Sequence, residues 1–445
     1  MTNDDAPATS ARAETLRTAA VFFLALFILV LRNSGHEVLY PILPAEDGRF
    51  LFQDFYSDHN FQTVFRHYSG YISVLPNLLA YVLTLLPVEW VPSSFAFVSL
   101  CVTAAAHSLF YRVTAEIYGD RVFAVYVMLI VAALPLGNFW LVGALAYQSW
   151  NFMVILLLLA LLPMPRKISG RVLYVFWVNL LIWSHPLSLL MVPWYLWGWV
   201  KNAPRRAEYG VFCLSAALYG RIGTIPGEIV WPGWTNLLDT GLSRVVGEAL
   251  LGPGNRMLVQ AADHEVVFLV LFVLALSAMA LLFYFSWRGR SRAEKEALAL
   301  LTGFACLVFA VSMATRIAPR NLSAEFAAGE WGTQYVYIPK MLFVAILLFS
   351  AYPFLKKIVR LRLLHGVLAA AVVWVNLNGN AVYKTRTDNG KKVLQFVGIL
   401  SGERDTCRAG EKKYIILRKG DIGTEKFPGN FNIRIDICNE PPGLN

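Results

Sequence analysis

Long apolar runs recur from one end of this chain to the other, at 18–31, 94–112, 122–137, 147–164, 172–200, 207–222, 265–286, 297–315, 338–354 and 363–379. In lipid a backbone must satisfy its own polar groups, so runs of this length predict helices and not barrel strands. The links between them alternate in charge. Arg112 and Arg121, then Arg166, Lys167 and Arg171, then Lys201, Arg205 and Arg206 form short basic connections. "WRGRSRAEKE" at 287–296 and "LKKIVRLR" at 355–362 continue the series. Basic links predict the cytoplasmic side.

Two stretches are placed by that charge pattern. The run at 172–200 has basic links at both ends, so it must turn around, and the proline of "WSHP" at 183–186 is the natural break. Each half is then roughly 20 Å long, short of a bilayer core of about 30 Å. "GYISVLPNLLAYVLTLLP" at 70–87, counted as a span, would invert every later link. It is therefore expected to lie along the outer surface. Arg12 and Arg17 precede the first run and no small-residue cleavage site follows it, which predicts an uncleaved anchor with a cytoplasmic N-terminus. The fold expected is an all-α polytopic membrane protein of about eleven transmembrane helices, its C-terminus extracytoplasmic.

Composition agrees with this and removes one alternative. The chain has 445 residues, 57% hydrophobic and only 15% charged. Its net charge of +10 suggests nucleic acid, but a membrane protein needs basic residues to set topology, so no nucleic-acid partner is implied. The outward regions are 32–93, 223–264, 316–337 and a tail from about 380. The tail changes character: "KKVLQFVGIL" has helical periodicity, whereas "KKYIILRK" and "FNIRIDIC" alternate like strands. Residues 1–379 thus form a transmembrane domain with 32–93 as its first outer loop, and 380–445 a small extracytoplasmic α/β domain. Cys407 and Cys438 fall in that tail and suggest a disulfide stapling a small core, or two thiols; Cys101, Cys213 and Cys306 sit in or beside apolar runs.

Candidate chemistry collects outside the membrane. "PAEDGRFLFQDF" at 44–55 places Glu46 and Asp47, then Asp54, just beyond the first run. As a helix, 46–58 sets Asp47, Asp54 and Asp58 on neighbouring ridges, with Phe50, Phe52, Phe55 and Tyr56 making the rest apolar. A carboxylate beside a membrane-embedded cavity suits a general base, since partial burial raises its proton affinity. The plainer alternative has these acids solvated or paired with Arg32, Arg49 or Arg66. Outward cations include Arg221, Arg244, Arg256, Arg316, Arg320 and Lys340; of these Arg221, Arg316 and Lys340 lie near span ends, at a depth suited to a lipid phosphate. His185, in the broken run, either adds a donor at similar depth or is structural. "EWGTQYVYIPK" at 330–340 brings Gln334, Tyr335 and Tyr337, as an interfacial belt or as a surface for a sugar or headgroup. "GPGN" at 252–255 lacks the third glycine of a phosphate loop, "ADHE" at 262–265 is too short for a metal site, and no cysteine–histidine spacing indicates zinc.

The first hundred residues resemble the GT-C superfamily of membrane glycosyltransferases, which includes protein O-mannosyltransferases and the aminoarabinose transferase acting on lipid A. The elements that match are "LFILVLRN", "PAEDGRFLFQDF", "SGYISVLPNLLAYVLTLLP" and "SFAFVSLCVTAAAHSLFYR": a first span, an acidic pair, a surface helix and a second span. The family pair is often Asp-Glu, whereas here it is Glu-Asp, and Asp47 shares a ridge with Asp54. The resemblance implies a sugar donor linked to polyprenyl phosphate and an acceptor hydroxyl on a glycan, lipid or protein, a cell-envelope glycan or lipopolysaccharide above all. It implies transfer at the outer face of a bacterial inner membrane. Asp47, with Glu46, would act as the base; Arg221, Arg316, Arg320, Lys340 and His185 would hold the donor phosphate. Asp54, Gln334, Tyr335 and Tyr337 would contact sugar or acceptor. No cofactor and no metal is implied. A transporter or flippase of lipid-linked sugars, and an O-antigen polymerase or ligase, are the competing classes.

Overall fold

The computed structural model describes residues 8–32, 47–58, 60–68, 70–133, 142–225, 227–251, 277, 281, 283–284, 287–317, 333–358, 414–417 and 433–436, and these are mostly helical. Among the described residues, four stretches are long and apolar enough to cross a membrane: Ala13–Leu31, Val88–Tyr118, Arg292–Ile317 and Tyr335–Lys356. They coincide with the predicted runs at 18–31, 94–112, 297–315 and 338–354. The runs at 363–379 and, for the most part, 265–286 lie outside the described residues, as do Cys407 and Cys438.

Helix α1 (Ala8–Arg32) packs with α4 (Val91–Tyr118) and α5 (Arg121–Ala133) into one bundle. Ala25, Ala104, Ala124 and Ala132 are fully buried in it. Lipid gives helices no hydrophobic reason to associate, so small residues that permit close backbone approach make such contacts. Gly119 ends α4 in the left-handed region at φ 63°, a conformation that favours glycine. At this end Glu14 meets three guanidinium groups, Arg112 at 3.1 Å and Arg17 and Arg121 at 3.3 Å.

Two further helices return to the same end. Helix α12 (Arg292–Ser312) starts there with a capping box, Ser291 and Glu294 each bonding the other's backbone amide. Helix α13 (Thr333–Ile358) finishes there and carries Pro339 and Pro353 in its interior. Pro353 has no N–H for the carbonyl of Phe349, one turn earlier. The guanidinium of Arg290, just before the start of α12, fills that role, donating to the Phe349 carbonyl, to the Ser350 carbonyl at 3.3 Å and to the Tyr118 hydroxyl at 2.7 Å. The basic links at 112–121, 287–296 and 355–356 therefore share one end of the bundle.

The predicted break at "WSHP" is present. Helix α7 (Ile168–Ile182) stops at Trp183, a 3₁₀ turn runs from Pro186 to Met191, and α8 (Val192–Lys201) returns. Its two ends are joined: Arg171 pairs with Glu208 at 3.4 Å in α9 (Arg206–Leu218), and Arg205 donates to the Pro165 carbonyl at 3.2 Å. The segment at 70–87 forms only a ten-residue helix, α3 (Val74–Leu83), about 15 Å long and too short to cross. It begins on the break. The amide of Val74 donates to the Trp183 carbonyl at 3.0 Å, the amide of Leu75 to Ser184 Oγ at 3.2 Å, and Ser73 Oγ to the Ser184 carbonyl at 2.8 Å. The hairpin thus satisfies amides that a helix start leaves open.

Asp47–Phe52 forms a π-helical turn continued by α2 (Gln53–Asp58). Short strands β1 (His67–Tyr68) and β2 (Tyr71–Ile72) pair antiparallel, with Gly70 at φ 89° in the turn between them. In the tail, β3 (Tyr414–Leu417) and β4 (Ile433–Asp436) pair antiparallel, Ile415 opposite Ile435, where "KKYIILRK" and "FNIRIDIC" predicted strands. Strand β4 lies against α2 and the π turn, so the tail and the acidic loop meet.

Candidate functional site

Asp47 is buried, with 1% of its surface exposed. Its two carboxylate oxygens accept from the amides of Leu145 and Ala146, each at 2.7 Å. Those amides lie in the turn that leads into α6 (Gln148–Leu161). A helix start carries partial positive charge, so an anion is favoured there. With one amide on each oxygen, these two bonds fix the plane of the carboxylate.

Asp47 and Asp54 do not share the predicted wet edge, because Asp47 is buried; the Asp58 side chain lies outside the described residues. Asp54 takes the plainer alternative and pairs with Arg66 at 3.0 Å, with 22% and 67% of their side chains exposed. The physical reason is the π turn: its bonds span five residues, so the angle between Asp47 and Asp54 departs from that of a regular α-helix. A solvated pair like this contributes little.

The first turn of α6 is a polar centre in an apolar surround. Gln148, Asn151 and Thr103 of α4 are fully buried and bonded in a closed set: Asn151 Nδ2 donates to Thr103 Oγ1 and to Gln148 Oε1, both at 2.9 Å. Gln148 Nε2 reaches back to the Ala144 carbonyl at 3.1 Å. Tyr337 of α13 donates its hydroxyl to Asn151 Oδ1 at 2.9 Å, which connects that helix to the turn holding Asp47.

Trp150, on the same turn, gathers an aromatic group. Its ring lies 4.6 Å from His185 and 5.8 Å from Tyr335, and His185 lies 5.4 Å from Tyr71. The Arg316 guanidinium sits 6.0 Å over the Tyr71 ring, at the limit of a cation–π contact. His185 also caps the 3₁₀ turn after the break, its Nδ1 accepting from the Leu187 amide at 3.2 Å. Of the predicted donor residues, Arg316 and His185 therefore share a cluster with Tyr335.

Lys340 is placed differently. It is buried against Glu248 of α11 (Glu248–Leu251), which also binds Arg244 Nε at 2.6 Å. All three side chains are under 10% exposed. Burial holds the Arg244 guanidinium below its ordinary pKa, opposed by the Glu248 charge. Lys340 thus already has an anion, and a lipid phosphate would reach it only by displacing Glu248. Arg221 is exposed in the π-helical turn Tyr219–Gly223. Glu46, Arg320 and the Gln334 side chain lie outside the described residues.

Further π-helical turns, Gly241–Gly247 and Met313–Ile317, carry Arg244 and Arg316. Asp47, Arg221, Arg244 and Arg316 therefore each sit on a π turn, an uncommon conformation found often at functional sites. No protein-family model, curated protein or solved structure matches this chain. The site rests on its own geometry.

Beside it runs an apolar groove of about 400 Å³, lined by Phe65, Val74, Phe176, Asn179, Leu180 and Trp183, where α3 meets α7. Phe176 and Trp177 are exposed on the same helix. Among the described residues no three His, Cys, Asp or Glu side chains group as a metal site.

Sequence reasoning missed Trp150, Gln148, Asn151, Thr103 and the role of Glu248. The signal for the first three was "QSWN" at 148–151: polar residues opening an apolar run are costly in a membrane and tend to be functional. Glu248 had no such signal, because its partner Lys340 is distant in the chain.

Proposed function

We propose that this protein is an inverting glycosyltransferase of the bacterial cytoplasmic membrane. It moves a sugar from a polyprenyl-phosphate donor to an acceptor hydroxyl of a cell-envelope glycan or lipopolysaccharide at the outer face. Its topology is about eleven spans with the N-terminus inside and the tail outside. The observation that carries the reading is Asp47, a buried carboxylate held by two amides at the entrance of α6, the helix whose first turn carries Trp150 of the aromatic group that ends in Arg316.

The acceptor oxygen attacks the anomeric carbon as Asp47 takes its proton, help of a kind worth about 10²–10⁴-fold. The bond from that carbon to the phosphate oxygen breaks, and its electron pair leaves with the lipid phosphate. Arg316 stabilises the charge that develops there. Tyr335, Trp150 and Tyr71 offer rings for the sugar, and the apolar groove at Trp183 and Phe176 suits an isoprenoid chain.

The test is a gene deletion complemented with wild type or Asp47→Asn, read by envelope-glycan mass with the variant's abundance checked by blot. Wild type should restore a sugar-sized mass that Asp47→Asn does not. Full restoration by Asp47→Asn removes Asp47 as the base. A second reading, transport of lipid-linked sugars, is favoured by Lys340, a buried ionisable side chain within a membrane-length helix and paired with Glu248, since such residues often mark transport paths. Under that reading deletion leaves donor-linked sugar trapped on the cytoplasmic face.

A further inference from the structure

We propose that Ile225 and Gly227–Leu238 form a lipid-binding strap that lies in the headgroup boundary of the bilayer. From Ile225 to Gly233 the described backbone is neither helix nor strand. It is pinned at two points, by the Ile225 amide on the Gly70 carbonyl at 2.7 Å and the Val230 amide on the Ala314 carbonyl at 2.9 Å. Yet five of its large apolar side chains point outward, while Pro232 is buried and Leu237 packs inward. Ile229 is 75% exposed and Trp234 71%, and Ile225, Trp231 and Leu238 are each more than half exposed. The two indoles pack edge to face at 4.9 Å. Gly233, at φ 83°, makes the turn between them that starts α10 (Trp234–Thr240).

Two rules then fix the depth. Irregular backbone exposed to hydrocarbon leaves amides and carbonyls unsolvated, which excludes the bilayer core. Large apolar side chains held open to bulk water lose the benefit of burial, which excludes the aqueous phase. The headgroup boundary satisfies both, and tryptophan is enriched there. The charges agree: Arg221 and Glu228 are exposed on either side of Ile225, with Arg221 able to meet a lipid phosphate.

The surface is also continuous with a lipid-facing stripe. On α9 and the π turn after it, Val211, Leu214, Leu218 and Ile222 are exposed at i, i+3, i+7 and i+11 and lead directly into the strap. The occupant is thus the lipid surface itself and not a protein partner. Because the strap is pinned beside Gly70 and Ala314, it sets the Tyr71–Arg316 contact near phosphate depth.

The experiment labels Ile229→Cys, Trp231→Cys and Trp234→Cys singly with a nitroxide. The full-length protein carries alanine at its native cysteines and sits in lipid nanodiscs. Oxygen and an aqueous nickel chelate are compared as collision partners. All three labels should lie roughly 5–10 Å inside the boundary, as interfacial segments do, with a Glu228→Cys label nearer the water. Nickel-dominated collisions at all three would show an aqueous loop, and oxygen-dominated collisions at the bilayer centre a buried segment. Labels closed to both reagents would show a protein cover. Each of these three results overturns the proposal. No glycan is measured, so the outcome is independent of the transferase reading.

Discussion

Replacing Asp47 should loosen the start of α6 as well as any chemistry. Its two bonds at 2.7 Å join a charged acceptor to backbone amides, in a side chain that is 1% exposed. Bonds to a charged group contribute about 1.5–3 kcal/mol each. Asp47→Ala removes both, a loss of about 3–6 kcal/mol. Asp47→Asn turns one oxygen into an NH₂ that faces an amide donor, and makes the other acceptor neutral. Its loss is about 2–4 kcal/mol. The assay is hydrogen exchange on a peptide covering the Leu145 and Ala146 amides, with a thermal midpoint for the whole protein. If opening there is local, 3 kcal/mol corresponds to about 10²-fold faster exchange. Unchanged exchange in Asp47→Ala would refute the anchoring role. The same measurement guards the functional test, because an inactive but well-folded Asp47→Asn implicates chemistry, whereas an inactive and loosened one does not.

Three further outcomes follow from other buried contacts. Arg290→Met should destabilise by about 2–4 kcal/mol, since the Phe349 carbonyl loses a charged donor. Adding Pro353→Ala supplies the missing amide, so in a double-mutant cycle the cost of Arg290→Met should fall by about 1 kcal/mol. Additive midpoints would show that Arg290 does not serve that carbonyl. Glu248→Gln leaves Lys340 and Arg244 facing each other and should cost about 3–5 kcal/mol, more than Lys340→Met, which leaves Glu248 with Arg244; the reverse order of unfolding midpoints would contradict the ion group. Tyr337→Phe removes one neutral bond to Asn151 and should cost only about 1 kcal/mol by the same midpoint.

What the sequence made legible were features with a local cause. The proline of "WSHP" breaks 172–200 where charge on both sides required a return, and the hairpin turns there. The ten-residue α3 is as short as the charge pattern required 70–87 to be, though its docking on Ser184 was not legible from spacing. Features with a distant cause stayed hidden. Glu248 reads as one acid in a loop until α13 brings Lys340 to it. The ridge drawn through Asp47 and Asp54 assumed a regular helix, and a π turn changed the angle between them. Nothing in "DGRFLF" announces that turn to a reader of periodicity.

Helix α13 draws these parts into one mechanical unit. Tyr335, Tyr337 and Lys340 meet Trp150, Asn151 and Glu248, so three sites of interest hang on its first two turns. Pro339 lies among them and removes the amide that would meet the Tyr335 carbonyl, which weakens the hydrogen-bond ladder at that point. Pro353 does the same near the other end, but there Arg290 restores a donor and ties the helix to α4 through Tyr118. The Arg290 contacts hold one end of the helix, and the Tyr337 and Lys340 contacts hold the other.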